Sequence, residues 1–241
     1  MRGVILALMV FGNAYAGSAQ NETLRPVFQP AEAHSITDIQ PYNRCFQKGT
    51  VVLNVVINET GKVREVEVRR DFPCLTQVAV QAVKDWEFSP ATLAGKPITS
   101  RMPVVIIFED QTVAPGPIPL PKLVPQTAQA VQADFQPAQV TRAWFPPPHA
   151  GYSYGQGAVV LEVTLSAEGE ADKIEVLRDL PPFTAPAQAA VGDWRFMPAT
   201  FNGRPVRSKI LLAFVTPPLY VPRKFASLSG PSRSIRPAKV Y

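Results

Sequence analysis

Between Thr50 and Asn58 the chain alternates: Val51, Leu53, Val55 and Ile57 fall on one face of an extended segment, and Val52, Asn54, Val56 and Asn58 on the other. That two-residue period predicts a strand. Asn58-Glu59-Thr60-Gly61 follows as a turn ending in a glycine, where positive φ costs little. Val66 and Val68 mark a second strand, so the two form a predicted hairpin. The period then lengthens. Leu75, Val78, Ala79, Ala82, Val83 and Trp86 recur at helical spacing as one apolar stripe, with Thr76 placed to cap its start. Proline takes Phe88-Ser89-Pro90-Ala91-Thr92 out of the helix, Leu93-Ala94-Gly95-Lys96-Pro97 is a turn, and Met102, Val104, Ile106 and Phe108 alternate inward along a last strand.

The whole pattern returns without a gap. Residues 157–216 match residues 49–108 at 24 of 60 positions, among them Gly61/Gly169, Asp85/Asp193, Trp86/Trp194, Pro90/Pro198 and Gly95/Gly203. The chain is therefore one small domain built twice. In the second copy Val159, Leu161, Val163 and Leu165 keep the first face apolar, while the opposite face becomes Val160, Glu162, Thr164 and Ser166. The first face is thus assigned to the core, with Leu53, Trp86, Leu161 and Trp194 as its central residues. The predicted fold is α+β: two ββαβ domains, each a three-stranded antiparallel sheet packed by one helix. A single helix returns the chain to its starting end, so the last strand runs parallel to the second and, in a fully antiparallel sheet, the first strand lies between them. The last strand is then an edge, and Pro103, which lacks a ladder donor, agrees with that.

A short echo, Phe28-Gln29-Pro30-Ala31 and Phe135-Gln136-Pro137-Ala138, precedes each copy and sets the expected boundaries. These are a signal peptide over 1–16, a leader over 17–27, domains over 28–110 and 135–218, a linker over 111–134 and a tail over 219–241. The linker is dense in proline and reads as an extended spacer. Arg2, the apolar run Val4 to Phe11 and Ala14-Tyr15-Ala16 have the pattern of an export signal cleaved after Ala16. An uncleaved inner-membrane anchor is the alternative, but the run falls short of the about 20 apolar residues a span needs. Export implies an oxidising compartment, where Cys45 and Cys74 can form one disulfide, with two free thiols as the alternative. The net charge of +5 is concentrated past Pro217, in Arg223, Lys224, Arg233, Arg236 and Lys239. A near-neutral body argues against a nucleic-acid groove, and the basic tail is suited to an anionic envelope surface.

The order G-x-V-x-L-x-V-x-(I/L)-x-x-x-G, a helix ending in D-W-x-F-x-P-A-T and then G-x-P occurs at Gly49 to Gly61, Asp85 to Thr92 and Gly95 to Pro97. It occurs again at Gly157 to Gly169, Asp193 to Thr200 and Gly203 to Pro205. This order resembles the C-terminal domain of the TonB family. The resemblance implies a periplasmic module that adds the N-terminal motif of an outer-membrane transporter as a strand to its sheet edge. Backbone groups of an edge strand need no catalytic residue for this. Pro103 interrupts the edge of the first copy, so Lys209, Leu211, Ala213 and Val215 are expected to be the better partner-binding strand. The alternative is that the two edges pair with each other inside the chain, as a structural envelope module with the repeats packed together, or are covered by the segments before Gly49 and Gly157. The apolar run lacks the Ser and His pair of a TonB energy transducer, so no energy transduction is implied. The two histidines, His34 and His149, sit in no catalytic or metal-binding motif, and no phosphate loop is present. No enzyme activity, cofactor or metal is expected.

Overall fold

A computed structural model describes residues 27–39, 48–108, 116–120, 135–146 and 157–216. The predicted signal, most of the linker, the basic tail, Cys45 and His149 lie outside the described residues. Six long strands and two helices carry the fold, in the order β1 (Gly49–Ile57), β2 (Val63–Arg70), α1 (Pro73–Lys84), β3 (Ser100–Phe108), β4 (Gly157–Leu165), β5 (Ala171–Arg178), α2 (Thr184–Gly192) and β6 (Ser208–Thr216).

Local chemistry accounts for these elements. The expected threonine caps are not formed: the N-caps are Phe72 and Phe183, with no side-chain cap bond, while inside the helices the Thr76 hydroxyl accepts the Phe72 N–H at 2.7 Å and the Thr184 hydroxyl that of Leu180 at 2.8 Å. The turn glycine Gly61 has φ of +81°, and a Cβ built on it meets the Phe88 carbonyl oxygen at 1.9 Å. Glycine is required at this site for space as well as for φ. Its carbonyl accepts the Phe88 N–H at 3.0 Å, tying the hairpin turn to the segment after the helix.

Within each copy the first strand pairs antiparallel with the second and with the last, as the connection argument predicts. The copies do not form two separate three-stranded sheets. Strand β6 pairs with β3 in parallel, from Leu211 opposite Val104 to Val215 opposite Phe108. The result is one six-stranded sheet in the order β2-β1-β3-β6-β4-β5. Pro103, which offers no donor, stands immediately before the first paired residue, so the parallel ladder begins where the donors do.

Two homologous strands running parallel side by side are related by rotation about the strand direction, and that rotation turns the second copy over. The helices accordingly lie on opposite faces. On one, Val51, Leu53, Val55 and Ile57 pack with α1, and the same core continues across the seam to Val160, Leu211, Ala213 and Val215. On the other, Val159, Leu161, Val163 and Leu165 pack with α2, and the core continues to Val52, Val105 and Ile107. Each helical layer thus covers its own sheet and the reverse face of its neighbour's. Alone, either copy would expose that reverse face, whose large aliphatic side chains gain roughly 1.5–3 kcal/mol each on burial. This explains why the copies share a sheet.

The segments before each copy complete the layers. Phe28, Ala31 and Ile39 join the first core; Phe135, Ala138, Ala143 and Phe145 join the second. Phe28 crosses to the other copy, with its ring 5.2 Å from that of Phe135 and 6.2 Å from that of Phe201. Both tryptophans end their helical stripe fully buried. The Trp86 indole N–H donates to the Thr37 carbonyl at 3.3 Å, and that of Trp194 to the Trp144 carbonyl at 3.0 Å. Leu53 and Leu161 are fully buried in the same two layers.

Candidate partner-binding edges

Lys209, Leu211, Ala213 and Val215 were expected on an open edge. That expectation is corrected: β6 pairs with β4 along its whole length and with β3 from Leu211 onward, and all its residues are buried. The physical reason is that β6 is apolar on both faces. Leu211, Ala213 and Val215 enter the α1 core, while Ile210, Leu212 and Phe214 enter the α2 core. A strand so composed leaves nothing for water, and it belongs in a sheet interior.

The lysine at its start is held by charge. Lys209 Nζ donates to Glu162 Oε1 at 2.5 Å and to Glu32 Oε1 at 2.9 Å. The Lys209 and Glu162 side chains are only 8% and 4% exposed. Glu162 Oε2 in turn accepts the backbone N–H of Ala33 at 2.9 Å. This cluster binds the leader of the first copy to the sheet of the second. Burial by itself would lower the Lys209 pKa, but its hydrogen bonds to Glu162 and Glu32 outweigh burial and leave it above the ordinary value of 10.5. Glu162 and Thr164, whose polarity suggested a solvent face, are therefore buried under the leader of the other copy. At the equivalent place in the first copy Arg101 Nε donates to Glu67 Oε1 at 2.9 Å.

The shared sheet leaves β2 and β5 as its outer strands. At equivalent positions on them Val68 and Val176 are 38% and 39% exposed. The edges also carry protective devices: Arg64, Glu65 and Glu67 on one, Asp172, Lys173 and Glu175 on the other, and register shifts in both hairpins. Charges and bulges of this kind restrain edge-to-edge aggregation. A cleft of about 690 Å³ adjoins β5 and is lined by Glu32, Lys173, Glu175, Arg207 and Lys209. Its charges are already matched, Lys173 to Glu175 at 2.8 Å and Arg207 to Asp172 at 3.0 Å.

Cys74 is disulfide-bonded; Cys45, the other cysteine of the sequence, lies outside the described residues. Among the described residues no group of three His, Cys, Asp or Glu side chains is arranged to hold a metal. His34 is exposed beside the Ser89 hydroxyl. No helix among the described residues is long and apolar enough to cross a membrane.

The closed seam could have been found in the sequence. Val104-Val105-Ile106-Ile107-Phe108 and Ile210-Leu211-Leu212-Ala213-Phe214-Val215 are unbroken apolar runs, the signature of strands covered on both faces. The pairing of the two last strands with each other, the alternative to an open edge, is the arrangement the structure takes.

The family model described as Gram-negative bacterial TonB protein C-terminal matches residues 44–109 and again residues 147–215, together more than half of the chain. No curated protein and no solved structure gives a significant match.

Proposed function

The chain belongs to the Gram-negative bacterial TonB C-terminal family, and we propose that it is a periplasmic protein of TonB-dependent transport that holds an outer-membrane transporter segment by strand addition at β5 or β2. Domains of this family are non-enzymatic interaction domains that meet outer-membrane transporters, so the family carries a TonB-like role in envelope transport. The observation that carries the finer reading is the position of β2 and β5 as outer strands with an exposed valine at the same place in each. An edge strand offers backbone donors and acceptors to an extended peptide, and the valine offers it an apolar contact. The edge charges favour weak, reversible pairing over permanent association. With an edge in each copy, two tethered segments would gain avidity.

A second reading rests on the closed β3–β6 seam: a structural cell-envelope module with its repeats packed together and no energy transduction. One experiment separates them. Titrating the isotope-labelled full chain with an extended peptide from a transporter N-terminus should shift amide signals within 171–178 or 63–70 and leave 211–215 unmoved. Shifts confined to 211–215 would restore the inner strand as the acceptor. No shift at millimolar peptide would leave the structural module as the function.

A further inference from the structure

Duplication supplies an internal control, because the two copies hold different side chains on the same backbone. Before β1, Glu32–Ser35 pairs antiparallel with Glu87–Ser89, and before β4, Gln139–Arg142 pairs in the same way with Arg195–Met197, with a register shift at the same place in each. In the first copy Ser35 stands opposite Glu87, Ser89 ends the short strand and Thr37 follows the leader strand. At the equivalent positions the second copy has Arg142 opposite Arg195, then Met197 and Trp144. Small, polar and acidic residues have been replaced by two guanidiniums and two large apolar groups, all exposed.

Two features of this patch are costly in the free protein. Trp144 and Met197 are 37% and 46% exposed, and among the described residues few other large apolar side chains are left at the surface. Arg142 and Arg195 face each other across a strand pair, where like charges repel. Neither guanidinium has a carboxylate partner among the described residues. Arg142 lies 5.6 Å from the centre of the Trp144 ring, and Arg195 donates to the backbone carbonyls of Asp193 and Trp194 at 3.3 and 3.0 Å. Both costs vanish if a carboxylate sits between the guanidiniums and an apolar side chain covers Trp144 and Met197. Tryptophan, arginine and methionine are also the residues enriched in the centres of protein interfaces.

We propose that Arg142, Trp144, Arg195 and Met197 form a second docking surface, present only in the second copy, for a partner-protein segment that carries an acidic residue next to a large apolar one. The forked guanidinium geometry matches a planar carboxylate. An anionic membrane fits less well, since such surfaces are held by clusters of roughly four to eight cations, and the neighbouring Gln139 and Thr141 are uncharged. Recognition at this surface does not depend on strand addition.

Trp144 is the one exposed tryptophan of the three in the chain, so its fluorescence reports the patch directly. The full chain should be titrated with a peptide containing Glu-Glu beside Phe-Leu, with its Gln-Gln counterpart, and with phosphatidylglycerol vesicles. Expected are a saturable blue shift with the acidic peptide, at least about tenfold weaker binding of the Gln-Gln peptide, and loss of the shift in Trp144→Phe. Arg195→Gln removes one guanidinium and the repulsion without setting a carboxylate opposite Glu170, which stands where the first copy has Lys62 paired with Glu87. It should fold with an unchanged or raised thermal midpoint yet bind the acidic peptide at least about tenfold more weakly. Equal binding of the two peptides, no shift with either, or a response to vesicles in place of peptide would overturn the proposal.

Discussion

Trp194→Ala is expected to destabilise the chain by about 3–5 kcal/mol, and to do so in a single transition that unfolds both copies. Trp194 is fully buried, its ring meets Phe214 edge-on at 5.9 Å, and its indole N–H is bonded to the Trp144 carbonyl. Truncation removes the largest side chain of the α2 layer and leaves that carbonyl without its donor. The same layer holds Val52, Val105 and Ile107 of the first copy, so the loss is felt on both sides of the seam. Trp86→Ala should cost a similar amount through the α1 layer, which reaches Leu211, Ala213 and Val215. Urea unfolding followed by fluorescence and by far-ultraviolet dichroism checks this. Two separated transitions, with only the mutated copy destabilised, would mean that the cores are independent.

The second large effect concerns the charge cluster at the start of β6. Glu162→Leu leaves the Lys209 ammonium buried with only the exposed Glu32 as partner, and breaking a buried pair in this way costs about 3–5 kcal/mol. Adding Lys209→Met removes the stranded charge and should recover most of that loss. Recovery stops short of complete because the Ala33 N–H also loses its acceptor, a deficit of about 1–3 kcal/mol. The pH dependence has a definite sign. A lysine whose folded pKa exceeds its unfolded value contributes stability in full below the unfolded value, here 10.5, and loses it as the pH climbs through the folded one. Wild type should therefore hold this contribution across neutral pH and lose it above about 10.5, while the double variant should show no such loss. Equal stability of the single and double variants would contradict a buried ion pair.

Much of this architecture was legible in the sequence, for a physical reason. Hairpin, helix and last strand each announce themselves by local periodicity, and comparing Val159, Leu161, Val163 and Leu165 with Val160, Glu162, Thr164 and Ser166 identified the face that meets the helix. The order of strands within an antiparallel copy followed from the direction in which its one helix returns the chain. The union of the copies stood only as one of the alternatives, because choosing it depends on what covers the reverse face, and local periodicity does not name a distant partner. Glu162 shows the difficulty most clearly. A carboxylate on an alternating strand reads as solvent-facing, yet here it is buried because Glu32 and Ala33, more than a hundred residues earlier, close over it and Lys209 neutralises it. Pro103 lacks a ladder donor, which fits an open edge equally well. It stands instead at the point where the parallel ladder begins.

The same union moves the candidate partner surface. A family domain that accepts a strand on its last strand could not do so here without opening the β3–β6 seam and exposing both cores. The outer strands and the patch around Trp144 remain available in the closed chain, which is why the proposals above fall there.

The claim on which the rest depends is that β6 lies in the interior of one sheet, and native-state hydrogen exchange of the full chain tests it most directly. Amides of Leu211–Val215 should be protected as strongly as those of β1 and β4, and more strongly than those of β2 and β5. Exchange of Leu211–Val215 as fast as that of the outer strands, with β1 and β4 still protected, would show the seam to be open and the two copies to be separate domains.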